Sequence, residues 1–431
     1  MRHQVSEVRL KNGGRGLLVD VPDATVMSFS FNFRAGNLYV KSPEIYETAH
    51  IMEHMAFGAN ARFDSEHDFE LEFTKNGAYH NASTSDTGMT YVADCADFEW
   101  ERIFDLQVLS ISEPRFNEVE FESEKGNVRN ELTGYLNNNA RLLWPKIQQA
   151  FGESVKTYEE RLETISNIRL EDIIEHHQRT HTTDNLRFVI SGKITPERRQ
   201  KIIDRLESLP LPRGERFEIV ENDLLNPSEP IFIPRSDLKN ISFGFSIVLP
   251  RQFSTEEMDA FQALNHILTG TMHSRIFGKA RKGGLTYGTY SGVSRGMRST
   301  SWDFEGQANF DTAEPLFDLI VQELQKVIEG DITQEEVDAM KSYALGSFQM
   351  SGQTVGATGG FYAGRYYWDG TIKNHSAQAE LIKKISGDKM IELAREFLRE
   401  GLFVLGAVSG GDQRQIEILS RKIEVLLENN R

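Results

Sequence analysis

His50, Glu53 and His54 form the run His-x-x-Glu-His inside EIYETAHIMEHMAFG, residues 44–58. The apolar spacing of that segment predicts a helix ending at Gly58. On a helix, positions four apart share a face, so the two imidazoles aim at one point. Imidazole nitrogen suits zinc, and a catalytic zinc keeps one position for water. Glu53 stands beside that point rather than within the ligand pair. This inverted order of His-Glu-x-x-His is a metallopeptidase signature. With 11 histidines and 64 acids in 431 residues, even counting every acid as Glu, about 0.04 chance matches are expected.

A third ligand has to come from elsewhere in the chain. RFNEVEFESEKGNVRNELTGYLNN, residues 115–138, reads as a long acidic helix and offers Glu124 and Glu131. Seven residues make nearly two turns, so both face the same way. One can reach a metal while the other orients a ligand histidine. Spacing alone leaves open that both are solvated glutamates.

The elements that must position these groups read as two similar halves. Period-two patterning over residues 16–36 predicts two strands around a turn at Pro22 and Asp23. Residues 78–94 predict two short strands around Asp86–Gly88, residues 99–112 a helix, and residues 185–192 a closing strand. Residues 208–230 hold four prolines and little apolar periodicity, which predicts a linker. Strand 240–250, helices 258–270, 313–328 and 334–349, and strand 401–411 then repeat the outline. A duplication of roughly 200 residues follows. The expected domains are 1–207, carrying the metal motif, linker 208–230, and 231–431, a second repeat without His-x-x-Glu-His. One metal per chain is therefore expected.

Three features are set aside. SGQTVGATGGFYAG, 351–364, lacks the Gly-Lys-Ser/Thr ending of a phosphate loop and reads as a loop or flexible helix junction. His176, His177 and His181 read as solvent-exposed on a polar helix end. Cys95 reads as a small core residue.

Composition narrows the partners. Hydrophobic residues make up 39% and charged residues 26%, as in ordinary globular proteins. The net charge of −16 repels phosphate backbones, which argues against nucleic acid. No run of about 18 apolar residues exists, so no membrane span is expected. A single cysteine allows no intrachain disulfide, and the first residues lack the marks of a signal or transit peptide. The expected compartment is the cytoplasm.

AHIMEHMAFG, then NGAYHNASTS, then EKGNVRNEL together resemble the insulinase/pitrilysin family of zinc peptidases, which includes the mitochondrial processing peptidase. In that family a distal glutamate follows the second histidine after some 76 residues, and here 76 residues separate His54 from Glu131. The resemblance covers nearly the whole chain. It implies His50, His54 and Glu131 as zinc ligands, Glu53 as general base, and Glu124 as the acid that orients a ligand histidine. It implies that Asn81 and Ala82 lie on an edge strand that pairs with an extended substrate. HSRIFGKARKGGLTYG, 273–288, resembles the segment that brings an Arg and a Tyr to the active-site chamber, here Arg281 and Tyr287. The family spacing is seven and here it is six, which puts Arg281 in doubt and makes Lys282 a substitute. Another departure is Glu47, where the family usually has Gly.

The implied fold is α+β, two homologous domains, each a mixed, largely antiparallel sheet under helices. In the family four such domains enclose a chamber, so a two-domain chain is expected to form a homodimer. Some members divide the zinc motif and the Arg/Tyr segment between two chains of a heterodimer; this chain carries both. The implied activity is zinc-dependent hydrolysis of unfolded peptides. The alternative is a non-catalytic or partner-dependent subunit.

Overall fold

Alternating apolar residues near the start make β1 (Gln4–Arg9), β2 (Arg15–Asp20) and β3 (Val26–Phe33). The computed structural model describes residues 1–219, 222–296 and 298–430. Pro22 and Asp23 do separate β2 from β3, but the two strands form no hairpin. β6 (Arg187–Gly192) lies between them, parallel to β2 and antiparallel to β3. Five of its six residues are buried, and a strand apolar on both faces belongs in the middle of a sheet. β4 (Tyr79–Thr84) and β5 (Met89–Ala96) are a true hairpin around Asp86–Gly88. β4 alternates exposed and half-buried residues, and it ends the sheet order β1-β2-β6-β3-β5-β4.

The second sheet has β7 (Ile231–Pro234), β8 (Asn240–Leu249), β9 (Thr289–Arg295), β10 (Thr300–Asn309) and β11 (Leu402–Ser409) in the order β7-β11-β8-β10-β9. Set β1 aside and the two sheets have one topology. β2 and β6 pair parallel, as do β7 and β11, and every other pairing is antiparallel. The fold class is α+β with an internal duplication.

Contacts divide the chain into two units that are not contiguous in sequence. The first is Met1–Gly134, Glu159–Val220 and Gln349–Asn374; the second is Tyr135–Tyr158, Glu221–Phe348 and His375–Arg431. This differs from the division 1–207, 208–230, 231–431, because each half of the sequence lends one helix to the other unit. In the second unit, helix Asn139–Ala150 lays Leu143 and Ile147 on β8 and β11. Gly406 leaves the room: a Cβ there would fall 2.6 Å from Leu143 Cδ1. In the first unit, helix Val355–Asp369 covers β6 and β3, and a Cβ on Gly359 would fall 2.6 Å from Ser191 Oγ. The glycine-rich stretch 351–364 is thus mainly helix, not loop. Thr354 caps its start by accepting from Ala357 N, and its small residues allow the close approach. Residues 208–230 carry no helix or strand among those described; Val220 and Glu221 of the expected linker lie outside the described residues.

The three histidines of helix Leu170–Thr180 and its C-terminus are buried, contrary to the expectation of exposure. His176 donates from Nε2 to Ala35 O at 2.9 Å, His177 to Ile111 O at 3.1 Å, and the His177 and His181 rings stack at 4.5 Å. Ile173, His176, His177 and Thr180 form the buried stripe of this helix, so periodicity and not polarity decides their place. Burial pushes His176 and His177 each down to about 4. Cys95 is buried, as its type predicts. No helix among the described residues is long and apolar enough to cross a membrane.

Candidate metal centre

The motif helix, Thr48–Met55, is short and is held by burying Ala49, Ile51, Met52 and Met55. Its opposite partner is the acidic helix, Glu118–Tyr135, anchored by Phe121, Val128 and Leu132. Glu131 Oε2 lies 3.5 Å from His50 Nε2 and 3.6 Å from His54 Nε2. The two rings stand 4.9 Å apart at 84°. One ligand atom from each of the three residues falls within 4.8 Å of the others.

Each imidazole is fixed from behind. His54 Nδ1 is 2.9 Å from Glu124 Oε2, and Glu124 Oε1 accepts from Asn127 Nδ2 at 2.9 Å. His50 Nδ1 is 3.0 Å from Glu47 Oε2. Glu47 is wholly buried and is clamped by Arg161, whose Nε donates at 2.5 Å and Nη2 at 3.0 Å. A carboxylate on each Nδ1 fixes the tautomer that leaves Nε2 free to ligate. Glu47, the departure from the family's Gly, stands three residues before His50 on the same helical face, and the structure makes it the brace of that histidine. Arg161 carried no local signal.

Charge explains the cluster's pKa pattern. Burial works against a charged His50 and His54, but hydrogen bonds with Glu131 and Glu47 raise His50, and those with Glu124 and Glu131 carry His54 to about 10. Burial likewise opposes the Glu47 carboxylate, yet His50 and Arg161 hold it below the ordinary range. Proton and metal compete for the same two nitrogens, so metal affinity rises with pH here.

The donors fit zinc. In a tetrahedral site with bonds of about 2.0–2.1 Å, neighbouring ligand atoms stand about 3.3 Å apart; the Glu131 separations of 3.5 and 3.6 Å are close to that. Two nitrogens and one carboxylate leave a fourth position, the pattern of a catalytic rather than a structural site. Glu53 is half-buried beside the pair and accepts from Thr84 Oγ1 at 2.9 Å. Thr84 is the last residue of β4, so the edge strand meets the motif helix at Glu53. Asn81 and Ala82 lie on β4, paired with Val92 and Tyr91 of β5.

Arg281 and Tyr287 belong to the second unit, where they touch each other. Arg281 Nη1 donates to Tyr287 O at 2.7 Å, and its guanidinium sits 3.9 Å from the Tyr287 ring centre. The Tyr287 side chain is 83% exposed and lines a cavity of about 520 Å³ with Trp144 and Glu305. The structure therefore gathers His50, Glu53, His54, Glu124 and Glu131 in one unit and joins Arg281 to Tyr287 in the other.

Residues 21–156 match the family described as Insulinase (Peptidase family M16), and residues 167–343 match Peptidase M16 inactive domain. The insulin-degrading enzyme of Drosophila melanogaster is 22% identical over 300 residues, 64% of this chain and 29% of that protein. The chain spans less than a third of the length of the curated relatives it matches. A protease from Helicobacter pylori shares the fold with TM-score 0.82 at 18% identity, over 95% of this chain and 100% of that one. A peptidase M16 inactive domain from Pseudomonas fluorescens does so with TM-score 0.80 at 15% identity, over 94% and 98%. The chain belongs to the insulinase (M16) family.

Proposed function

We propose that this chain is a zinc-dependent peptidase that hydrolyses unfolded peptides, with His50, His54 and Glu131 holding the metal. The observation that carries the reading is the convergence of two Nε2 atoms on Glu131 Oε2, with both Nδ1 atoms fixed by carboxylates. Zinc bound there supplies Lewis acidity and a water whose pKa falls towards about 7. Glu53 would take a proton from the attacking water and pass it to the leaving amine. Thr84 keeps one Glu53 oxygen aimed while the other stays available. An extended substrate adds to the free edge of β4 at Asn81 and Ala82, which delivers its backbone to the Glu53 end of the strand. Tyr287 and Arg281 hold substrate backbone or the charge that builds on the scissile carbonyl oxygen.

The chamber, the homodimer that would close it, and the cytoplasm complete this reading; the lone buried cysteine suits a reducing compartment. A second reading is a subunit that works only with a partner; the match of residues 167–343 to Peptidase M16 inactive domain supports it. The test is cleavage of a library of short quenched peptides by wild type, Glu53→Gln and chelator-treated protein, with metal content measured on each. Cleavage lost in Glu53→Gln at unchanged zinc supports the peptidase. Inert wild type with zinc bound supports the partner-dependent subunit, and light scattering then reports whether the chain pairs with itself.

A further inference from the structure

The first unit holds a second concentration of charge, unconnected with the zinc reading. Arg9, Arg15, Arg34, Arg187 and Arg216 line one cavity of about 320 Å³ in a chain whose net charge is −16. The sheet itself builds it. Arg9 of β1 stands opposite Arg15 of β2, and Arg15 stands opposite Arg187 of β6, so three arginines form one row across three neighbouring strands. Like charges directly opposite one another destabilise a sheet.

The balancing charges are few. Glu7 and Asp369 also line the cavity. Glu7 is taken by Arg9 at 3.0 Å, and Asp369 by Arg365 at 2.5 Å. Asp184 and Glu218 offset part of the charge on Arg187 and Arg34, and Asp184 faces Arg213 at 3.7 Å. Among the described residues, Arg15, Arg34, Arg187 and Arg216 form no ion pair. Backbone carbonyls aim Arg34, Arg187 and Arg216 instead. Arg34 donates to Phe217 O and to Trp368 O, the latter at 2.7 Å. Arg216 donates to Asn185 O at 2.6 Å and Tyr367 O at 2.5 Å, and Arg187 to Asp184 O at 3.0 Å. Burial, then Arg187 and Arg34, push Arg216 down to about 9, so the repulsion is felt inside the cluster.

We propose that this cavity is a binding site for a small, multiply charged phosphate anion, inorganic phosphate or a short oligophosphate. Four guanidinium groups without carboxylate partners ask for more than one negative charge, and the guanidinium fork matches phosphate oxygens in bidentate fashion. The cavity is too small for a polymer, and the chain's net charge of −16 repels long polyanions.

The experiment is calorimetric titration of the full chain, stripped of metal so that phosphates cannot act by chelation. Inorganic phosphate and tripolyphosphate are the probes, with citrate and sodium chloride at matched ionic strength as controls. One saturable site per chain for either phosphate is expected, with a higher thermal midpoint. Binding of tripolyphosphate alone assigns the oligophosphate, and binding of both assigns the phosphate group itself. Arg15→Gln, at an exposed position, is expected to weaken binding about tenfold or more, the worth of one hydrogen bond to a charged group. Arg187→Gln is the second variant, with circular dichroism as its folding control. Equal heats from sodium chloride, tight citrate binding with none for phosphate, or affinity unchanged in both variants would overturn the proposal.

Discussion

Helix Thr48–Met55 and helix Thr255–Thr269 each follow the first long antiparallel strand of their sheet, β3 and β8. The topology around them is the same, but their interiors are opposite. The first draws Glu47 and His50 out of water, pairs them with each other and with Arg161 and Glu131, and pairs His54 with Glu124. The second buries Ala260, Phe261, Ala263, Leu264 and Leu268, and its buried Asn265 accepts from Trp302 Nε1 at 2.9 Å. Burying charge costs several kcal/mol per ion unless each is paired. One repeat maintains such a charged cluster and the other fills the same place mainly with apolar side chains, so the metal-ligand set belongs to the first repeat.

The largest expected break between the two is Glu53→Gln. Hydrolysis should fall by about 10²–10⁴-fold, the usual worth of a general base, with zinc content unchanged. Next comes Glu47→Gln, which takes the charge from the carboxylate between His50 and Arg161. Zinc affinity should drop about 10–100-fold, read by competition with a chromogenic chelator, and Glu124→Gln should do the same through His54. An unchanged affinity in both would mean that the carboxylates behind the imidazoles are only structural.

Acid should sharpen the comparison by loosening the first unit through His176 and His177. Their folded pKa values lie near 4, below the ordinary 6.5. The unfolded chain therefore binds protons first as pH falls. Their contribution is intact above about 6.5 and is lost on the way down to 4, on the order of 3 kcal/mol for each ring. A thermal midpoint that stays level between pH 6.5 and 4 would contradict this burial. The smallest effect is Asn265→Ala. It strands the Trp302 N–H and should cost about 1–3 kcal/mol in denaturant unfolding, with zinc affinity untouched.

Sequence made the centre more legible than its surroundings. The His-x-x-Glu-His run placed two imidazoles on one helical face, and the seven-residue step from Glu124 to Glu131 put both acids on one side of their helix. The reciprocal lending of helices was not legible, because nothing local in residues 139–150 or 355–369 says which sheet they cover. β2 and β3 read as neighbours because the turn between them is short, and only the apolar content of β6 inserts it there. His176 and His177 read as wet because residue type was weighed above their three-and-four spacing with Ile173 and Thr180. Glu47 showed only as an oddity, since its partner Arg161 lies 114 positions away.

The most direct test of the account is the zinc stoichiometry of the purified chain and of His54→Ala, by elemental analysis after dialysis against limiting zinc. One zinc per chain in the wild type and none in His54→Ala is the predicted result. Two zincs per chain, or one that survives loss of His54, would place the metal elsewhere and contradict the division between the two repeats.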